Sequence, residues 1–278
     1  MKRRTFFGVA AAAPALASIT PRNLDKIKVR TAGKVETVFK SPGPKPNGLQ
    51  ATQDGLWILD QGDNKAYLVS YKDGKLIRGF ATGSDRGSGI TFDGEALWIG
   101  STYNREIVRC DARTGKTLAR YFTPGAGVIY KTTWDPPGRS SPLAKGSAAP
   151  AKPQPAQSAD AAPNTLGTGA HGQEWRDGKL WMAVPPSRMI YRMDPKAWVV
   201  EQQFPTAGNR PHGIAWEGRY LWCTDSNLNA FFKHDPATGE IVEKIQLAES
   251  DPLPHGMSIW QGYMWYCDDV GIVCRLKI

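Results

Sequence analysis

Apolar residues in this chain come in short runs separated by turn-forming residues, and five segments repeat one arrangement. Each begins with a glycine and continues with a short apolar run, a turn, and an apolar residue followed by tryptophan. The glycines are 41, 83, 41 and 43 residues apart, and the tryptophans keep the same intervals. Because the two positions keep the same spacing, the segments are copies of an internal repeat. We call the set of residues at one repeated position a column. The segments are Asn47-Gly48 to Leu56-Trp57, Ser88-Gly89 to Leu97-Trp98, His171-Gly172 to Leu180-Trp181, His212-Gly213 to Leu221-Trp222, and His255-Gly256 to Met264-Trp265.

Each repeat continues with a third apolar run, such as 107–111, and then a Gly-Lys or Gly-Glu turn before a fourth, such as 115–118. Short strands with frequent turn signals predict an all-β fold. Four strands in about 40 residues are typical of one blade of a β-propeller. The last repeat stops after three strands, and Gly33 to Phe39 has the form of the missing fourth. We therefore predict five blades of four antiparallel strands, with an N-terminal strand completing the C-terminal blade and closing the ring. The five repeated tryptophans are expected to pack between blades.

The interval of 83 residues leaves room for one more repeat, so six blades are the alternative. Residues 135–168 within it contain seven Pro, eight Ala and no aromatic residue. Such a composition does not supply four buried strands. The prediction is a single propeller domain over 18–278 with a flexible insertion at 135–168, which we expect to be a solvated tether rather than a lid.

The N-terminus has the three parts of a cleavable export signal: a basic cluster, a short apolar run, and Ala15-Leu16-Ala17. Arg3-Arg4 followed by Thr-Phe-Phe resembles a twin-arginine (Tat) signal, and an ordinary secretory signal is the alternative. Removal of 1–17 leaves a formal charge of +6 from +9, which does not favour a nucleic-acid partner. No later run is long enough to span a bilayer. We expect a periplasmic or secreted monomer without a membrane anchor.

The chain has four histidines, and three of them occupy one column of the repeat. In a propeller the first strand of each blade lines the central channel, so the leading residues converge at one face. That column reads Asn47, Ser88, His171, His212 and His255. Three imidazoles near one axis predict a divalent metal, zinc before other transition metals or calcium. The alternative is that these histidines only hydrogen-bond neighbouring loops.

A second column, three residues after each tryptophan, places carboxylates at the same face. Its members are Asp60, Ser101, Val184, Asp225 and Asp268, with Asp269 adjacent to the last. We predict that Asp225 and Asp268 orient a histidine or move a proton, and that Asn47, Ser88 and Asp60 bind a small-molecule substrate. Closing turns is the competing role for each carboxylate. Cys223, Cys267 and Cys274 could supply one disulfide, and Cys110 is expected to be a buried thiol.

Pro211-His212-Gly213-Ile214, the Leu-Trp-x-x-Asp segments and the Gly-Lys turns resemble those of a broad propeller superfamily. It includes streptogramin (virginiamycin B) lyases, gluconolactonase-like proteins and quinoprotein-like exported propellers. The resemblance implies an axial site: streptogramin lyases use an essential histidine on a lactone in seven blades. Peptidyl-amidoglycolate lyase has a similar three-histidine zinc site in six blades, and plant-type glutaminyl cyclotransferases have five blades.

These observations predict an exported metal-dependent lyase or hydrolase whose active site lies on the propeller axis. The ligands would be His171, His212 and His255, and Asp225 or Asp268 would assist. The rival hypothesis is a non-catalytic propeller that binds a ligand or a protein.

Overall fold

The computed structural model describes residues 23–144 and 167–278. The predicted signal peptide, 1–17, and much of the insertion lie outside these residues. The described chain folds into five four-stranded antiparallel sheets. Within it no helix is both apolar enough and long enough to cross a bilayer.

The strands follow the repeat. Strands β2–β5 form blade 1, β6–β9 blade 2, β10–β13 blade 3 and β14–β17 blade 4, while β18–β20 and β1 form blade 5. In chain order they are β1 (Glu36–Lys40), β2 (Pro46–Thr52), β3 (Gly55–Asp60), β4 (Lys65–Val69), β5 (Leu76–Ala81), β6 (Ile90–Phe92), β7 (Ala96–Ser101), β8 (Glu106–Asp111), β9 (Thr117–Phe122), β10 (Gly172–Arg176), β11 (Lys179–Val184), β12 (Met189–Asp194), β13 (Val199–Pro205), β14 (Pro211–Glu217), β15 (Tyr220–Asp225), β16 (Ala230–His234), β17 (Ile241–Gln246), β18 (Met257–Trp260), β19 (Tyr263–Asp268) and β20 (Ile272–Lys277). A short 3-10 helix, Leu24–Lys26, precedes β1.

The five first strands form a closed inner ring. Strand β2 contacts β6, β6 contacts β10, β10 contacts β14, β14 contacts β18, and β18 returns to β2. The prediction of five blades is confirmed, and the described residues contain no sixth. Between β9 and β10 the described chain has a single isolated bridge, which joins Gly127 to Thr168.

The repeated tryptophans pack between blades, as predicted, and all five are buried. Trp98 of blade 2 shows the arrangement: its ring lies 5.7 Å from Trp175 and 6.3 Å from Trp198, both in blade 3. Trp265 of blade 5 shares an apolar cluster with Leu56 of blade 1. Burying such large apolar side chains at each interface stabilises the ring.

The N-terminal strand closes the ring in the predicted way. Strand β1 pairs antiparallel with β20, with Glu36 opposite Arg275 and Lys40 opposite Ile272. The residues before it continue onto blade 4, where the Arg30 guanidinium bonds the Glu217 and Glu243 carboxylates. The edge of β20 is therefore paired, which removes a site for unwanted strand pairing.

All four cysteines are buried free thiols. Cys110 is the buried thiol that the sequence predicts, and Cys223, Cys267 and Cys274 form no disulfide.

Candidate functional site

The histidine column lies together at one end of the central axis, which we call the axial face. The His171 and His212 ring centroids are 4.8 Å apart, and those of His212 and His255 are 4.7 Å apart. Both pairs meet edge to face. His212 and His255 are buried, while His171 is partly exposed. The three histidines therefore lie side by side, as their shared repeat position predicts.

The hydrogen bonds around the cluster fix one consistent set of tautomers. His212 Nδ1 lies 3.1 Å from the Arg210 carbonyl oxygen, so this nitrogen carries the proton and Nε2 accepts. His171 Nδ1 therefore donates to His212 Nε2 across 3.2 Å. The remaining nitrogen, His171 Nε2, accepts from the Thr168 hydroxyl at 2.7 Å. His255 Nδ1 faces the Leu253 carbonyl oxygen at 3.4 Å in the same way.

The environment keeps all three imidazoles neutral. Desolvation, followed by the charge of Arg210, lowers the pKa of His171 to about 3 and that of His255 to about 4. Desolvation also lowers the pKa of His212 well below its usual range. Neutral imidazoles retain a lone pair, which suits them to accept a hydrogen bond or bind a metal.

The carboxylates of the second column divide into two kinds. Asp60 accepts three backbone N–H bonds, from Lys45 at 2.6 Å and from two residues of its own turn at 2.8 and 3.0 Å. Asp225 accepts the equivalent three, each at 3.0 Å. Both side chains are thus saturated by backbone groups, and their assigned substrate-binding and catalytic roles remain predictions.

Asp268 differs because its turn is shorter. Four residues separate the second and third strands in blades 1 to 4, but three separate β19 from β20. Asp268 Oδ2 accepts from the Leu253 N–H at 2.8 Å and the Ser141 hydroxyl at 2.6 Å. Oδ1 is buried and has no hydrogen-bond partner among residues 23–144 and 167–278. Desolvation raises the pKa of this carboxyl to about 6.

The free oxygen of Asp268 belongs to a group that could hold a cation. His255, Asp268 and Asp269 each offer one ligand atom, and these three atoms lie within 4.8 Å of one another. Among the described residues, this is the group whose ligand atoms lie that close together. The three histidines do not form such a group. The His171–His212 bond occupies a lone pair that the predicted three-histidine site would require. That ligand set stays a prediction.

Asn47 and Ser88 also lie at the axis, and both are buried. The Ser88 hydroxyl lies 2.5 Å from Asn47 Oδ1 and 3.3 Å from the His171 carbonyl oxygen. The hydrogen bonds of this pair thus run across the ring, between neighbouring inner strands. Their role in binding substrate stays a prediction.

Arg210 is a residue of the site that the sequence analysis missed. One guanidinium nitrogen lies 3.5 Å from His255 Nε2, and the other donates to the Arg139 carbonyl at 3.0 Å. A signal was present, because Arg210 stands two residues before His212. Lys45 and Arg86 hold the same place before Asn47 and Ser88.

The described part of the insertion lies across this face. We call residues 128–144, which include the seven residues before the insertion, the strap. Its Asp135 forms an ion pair with Arg188 of blade 3 at 2.6 Å, and its Ser141 reaches Asp268 of blade 5. The Arg139 N–H donates to Asn227 Oδ1 of blade 4 at 3.2 Å. In this portion the insertion covers blades 3 to 5, whereas the sequence favoured a solvated tether.

A second layer of polar side chains lies deeper in the channel, further along the first strands. Gln50, Thr91 and Glu174 occupy the position three residues after the first column in blades 1 to 3. Thr91 Oγ1 donates to Gln50 Oε1 at 2.6 Å, and both side chains lie against the Glu174 carboxyl group. Desolvation raises the pKa of Glu174 to about 8, so this acid is protonated at neutral pH.

Comparisons with known structures support the propeller fold. The chain is similar to the glutaminyl cyclase from Myxococcus xanthus, with a TM-score of 0.58 at 11% identity over 87% of this chain and 95% of that one. It is also similar to the virginiamycin B lyase from Staphylococcus aureus, with a TM-score of 0.50 at 16% identity over 88% and 99%. The expected likeness to streptogramin lyase-type propellers is confirmed at the level of fold. A scan against protein-family models and a search of curated proteins gave no match.

Proposed function

We propose that this protein is an exported, metal-dependent lyase or hydrolase with its active site at the axial face. The observation that carries the proposal is the buried, unpaired Asp268 Oδ1 beside His255 and Asp269. A buried carboxylate oxygen without a donor is costly, and a bound cation would compensate that cost.

The donor set fits a divalent ion. One imidazole nitrogen and two carboxylate oxygens are ligands that Zn²⁺ accepts, and the oxygen-rich character also suits other divalent ions. His255, Asp268 and Asp269 would hold the metal in place of the full three-histidine set, with Arg210 withdrawn from His255 Nε2. A bound divalent cation would polarise a substrate carbonyl or lower the pKa of a water molecule.

The remaining histidines supply a base. His171 is partly exposed, so its Nε2, now bonded to the Thr168 hydroxyl, is the nitrogen that a substrate can approach. A proton taken at Nε2 makes His171 a cation, and its Nδ1–H bond to His212 stabilises that cation. A bound anionic substrate would have to offset the desolvation and the Arg210 charge that lower the pKa of His171 to about 3. Asp225 supports this arrangement as a positioning residue, because it accepts the Arg210 backbone N–H beside the cluster.

The names of the similar structures support an enzyme, since one is a cyclase and the other a lyase. Their identity to this chain carries the fold and no residue role. The choice between elimination and hydrolysis therefore depends on the substrate.

The proposal predicts a stoichiometric metal that depends on Asp268. Protein folded in its native host should contain about one divalent ion per chain by elemental mass spectrometry. Asp268→Asn should lower that content at least tenfold, because the amide supplies no charge to the ion.

Asp60→Asn is the matched control, since Asp60 holds the same blade position but bonds backbone groups alone. It should lose stability and keep its metal. Full metal content in Asp268→Asn, or no metal in the unaltered protein, would contradict the metal-dependent enzyme.

The second candidate is a propeller that binds a ligand without chemistry. It is favoured by the inward hydrogen bonds of His171 and His212, which leave the cluster satisfied without an ion. In that case His212→Ala would leave ligand binding unchanged, and no metal would copurify.

A further inference from the structure

The axial face has an open side between blades 1 and 2, away from the strap. A pocket of about 410 Å³ lies there, and its walls include Lys45, Asn64, Asp85, Arg86 and Tyr103. These residues come from the connections that enter β2 and β6 and from two turns of the same face. The pocket is thus on the histidine side of the ring.

The pocket contains cations without ionic partners. Many arginines of the described chain are paired, such as Arg30 with Glu217 and Arg188 with Asp135. Neither Lys45 nor Arg86 forms an ion pair within the described residues. Asp85 is the one acid in the wall, so the two cations leave the pocket with a net positive charge.

The backbone and a ring hold Arg86 in place. Its φ is 48°, a left-handed value that costs energy for a side chain other than glycine. The Asn64 side chain accepts its N–H at 2.7 Å, and its guanidinium stacks over the Tyr103 ring at 4.8 Å. A flat cation fixed on an aromatic face keeps its N–H edge free for a planar anion.

A third cation, Arg210, lies beside the histidines, where Asp269 and Asp225 partly balance its charge. Tyr103 lies within electrostatic range of the Arg210 guanidinium, and that guanidinium contacts His255 Nε2. A ligand that bridges the pocket and the cluster would therefore lie along Lys45, Arg86 and Arg210. Such a path attracts anions and orients them.

We propose that the pocket between blades 1 and 2 is an anion subsite that binds a carboxylate or phosphate group of a small molecule. The description of that molecule as a substrate rests on the proposed function, whereas the binding itself does not. The anionic end would bind between blades 1 and 2, and the uncharged part of the ligand would extend toward the axial histidines.

The test uses the full chain freed of metal by chelation and dialysis. Calorimetric titration with inorganic phosphate and with glutarate separates the two anion classes, and glutaramide is the uncharged control. We expect saturable one-to-one binding of at least one anion, weakening as salt rises, and no binding of glutaramide.

Variants locate the site. Arg86→Gln should weaken anion binding at least tenfold, because the guanidinium fork is lost. Arg86→Gly should lose it as well while not lowering stability, since glycine relieves the left-handed backbone. Arg113→Gln, in the exposed turn before β9, should bind like the unaltered protein.

Three results would overturn the subsite: no saturable binding of either anion, equal affinity in Arg86→Gln, or equal loss in Arg113→Gln. Because the titration needs neither metal nor turnover, it is independent of the enzyme proposal. Binding that depends on Arg86, together with no metal in the unaltered protein from its native host, would sustain the subsite and reject the metalloenzyme.

Discussion

At the scale of single residues, repeat position alone does not assign a role. Asp60, Asp225 and Asp268 hold one position in three blades, yet the first two are saturated by backbone N–H groups and the third has a free oxygen. The cause is the shorter turn after Asp268. This difference can be counted in the sequence, whereas the resulting hydrogen bonds require the folded turn.

Glu174 provides a test at this scale. Its pKa of about 8 exceeds the usual value, so between these two values the folded state binds a proton that the unfolded state has released. Stability from this group is therefore lost as pH rises toward 8. The free energy of unfolding should fall by about 1 kcal/mol from pH 7 to 8.

Glu174→Gln keeps a neutral hydrogen-bonding group and should remove this slope. Urea unfolding at pH 7, 7.5 and 8 measures it. The histidine cluster does not interfere, because its low pKa values affect stability below about pH 6.5. Parallel slopes in the variant and the unaltered protein would show that Glu174 is ionised in the folded state.

At the scale of elements, the glycine that begins each inner strand has a packing role that the repeat pattern did not reveal. A Cβ on Gly213 would overlap the Met257 nitrogen, one on Gly172 the His212 carbonyl oxygen, and one on Gly256 the Asn47 carbonyl oxygen. The sequence pattern indicates only that these glycines lie at blade openings and turns. In the structure, these glycines let neighbouring backbones touch around a narrow ring.

Gly213→Ala should therefore lower the free energy of unfolding by about 1–3 kcal/mol, because a backbone must shift. Gly127→Ala is the control, since a Cβ there meets no atom within 4 Å, and it should change stability by less than about 0.5 kcal/mol. Denaturant unfolding of the two variants provides the comparison. Equal stabilities would mean that the inner strands can separate without cost.

At the scale of the whole molecule, the sequence predicted blade number, strand order and ring closure, since each depends on a repeat whose period can be counted. It also predicted which column meets at the axis. It could not predict the contacts of the strap or of Arg210, because these join residues without a shared period. The Arg139–Asn227 bond, for example, joins an insertion to a turn 88 residues away.

The role of β1 in ring closure can be tested by truncation. A variant that begins at Ser41 lacks β1 and exposes the edge of β20, so it should self-associate and unfold at lower denaturant. A variant that begins at Lys28 retains β1 and the Arg30 ion pairs, and it should stay monomeric. Sedimentation velocity distinguishes the two, and a monomeric Ser41 variant would show that β1 does not protect the edge.

The pairing of β1 with β20 also sets the order in which the site can form. Strand β1 is synthesised before the other strands, but it can pair with β20 only after β20 has left the ribosome. His255, Asp268 and Asp269 belong to blade 5, so the residues proposed to hold a metal come together only after the strands of the other four blades have been synthesised. Under the proposed function, an ion would therefore bind only after the fifth blade has formed, and the compartment in which the ring closes would determine which ions are available.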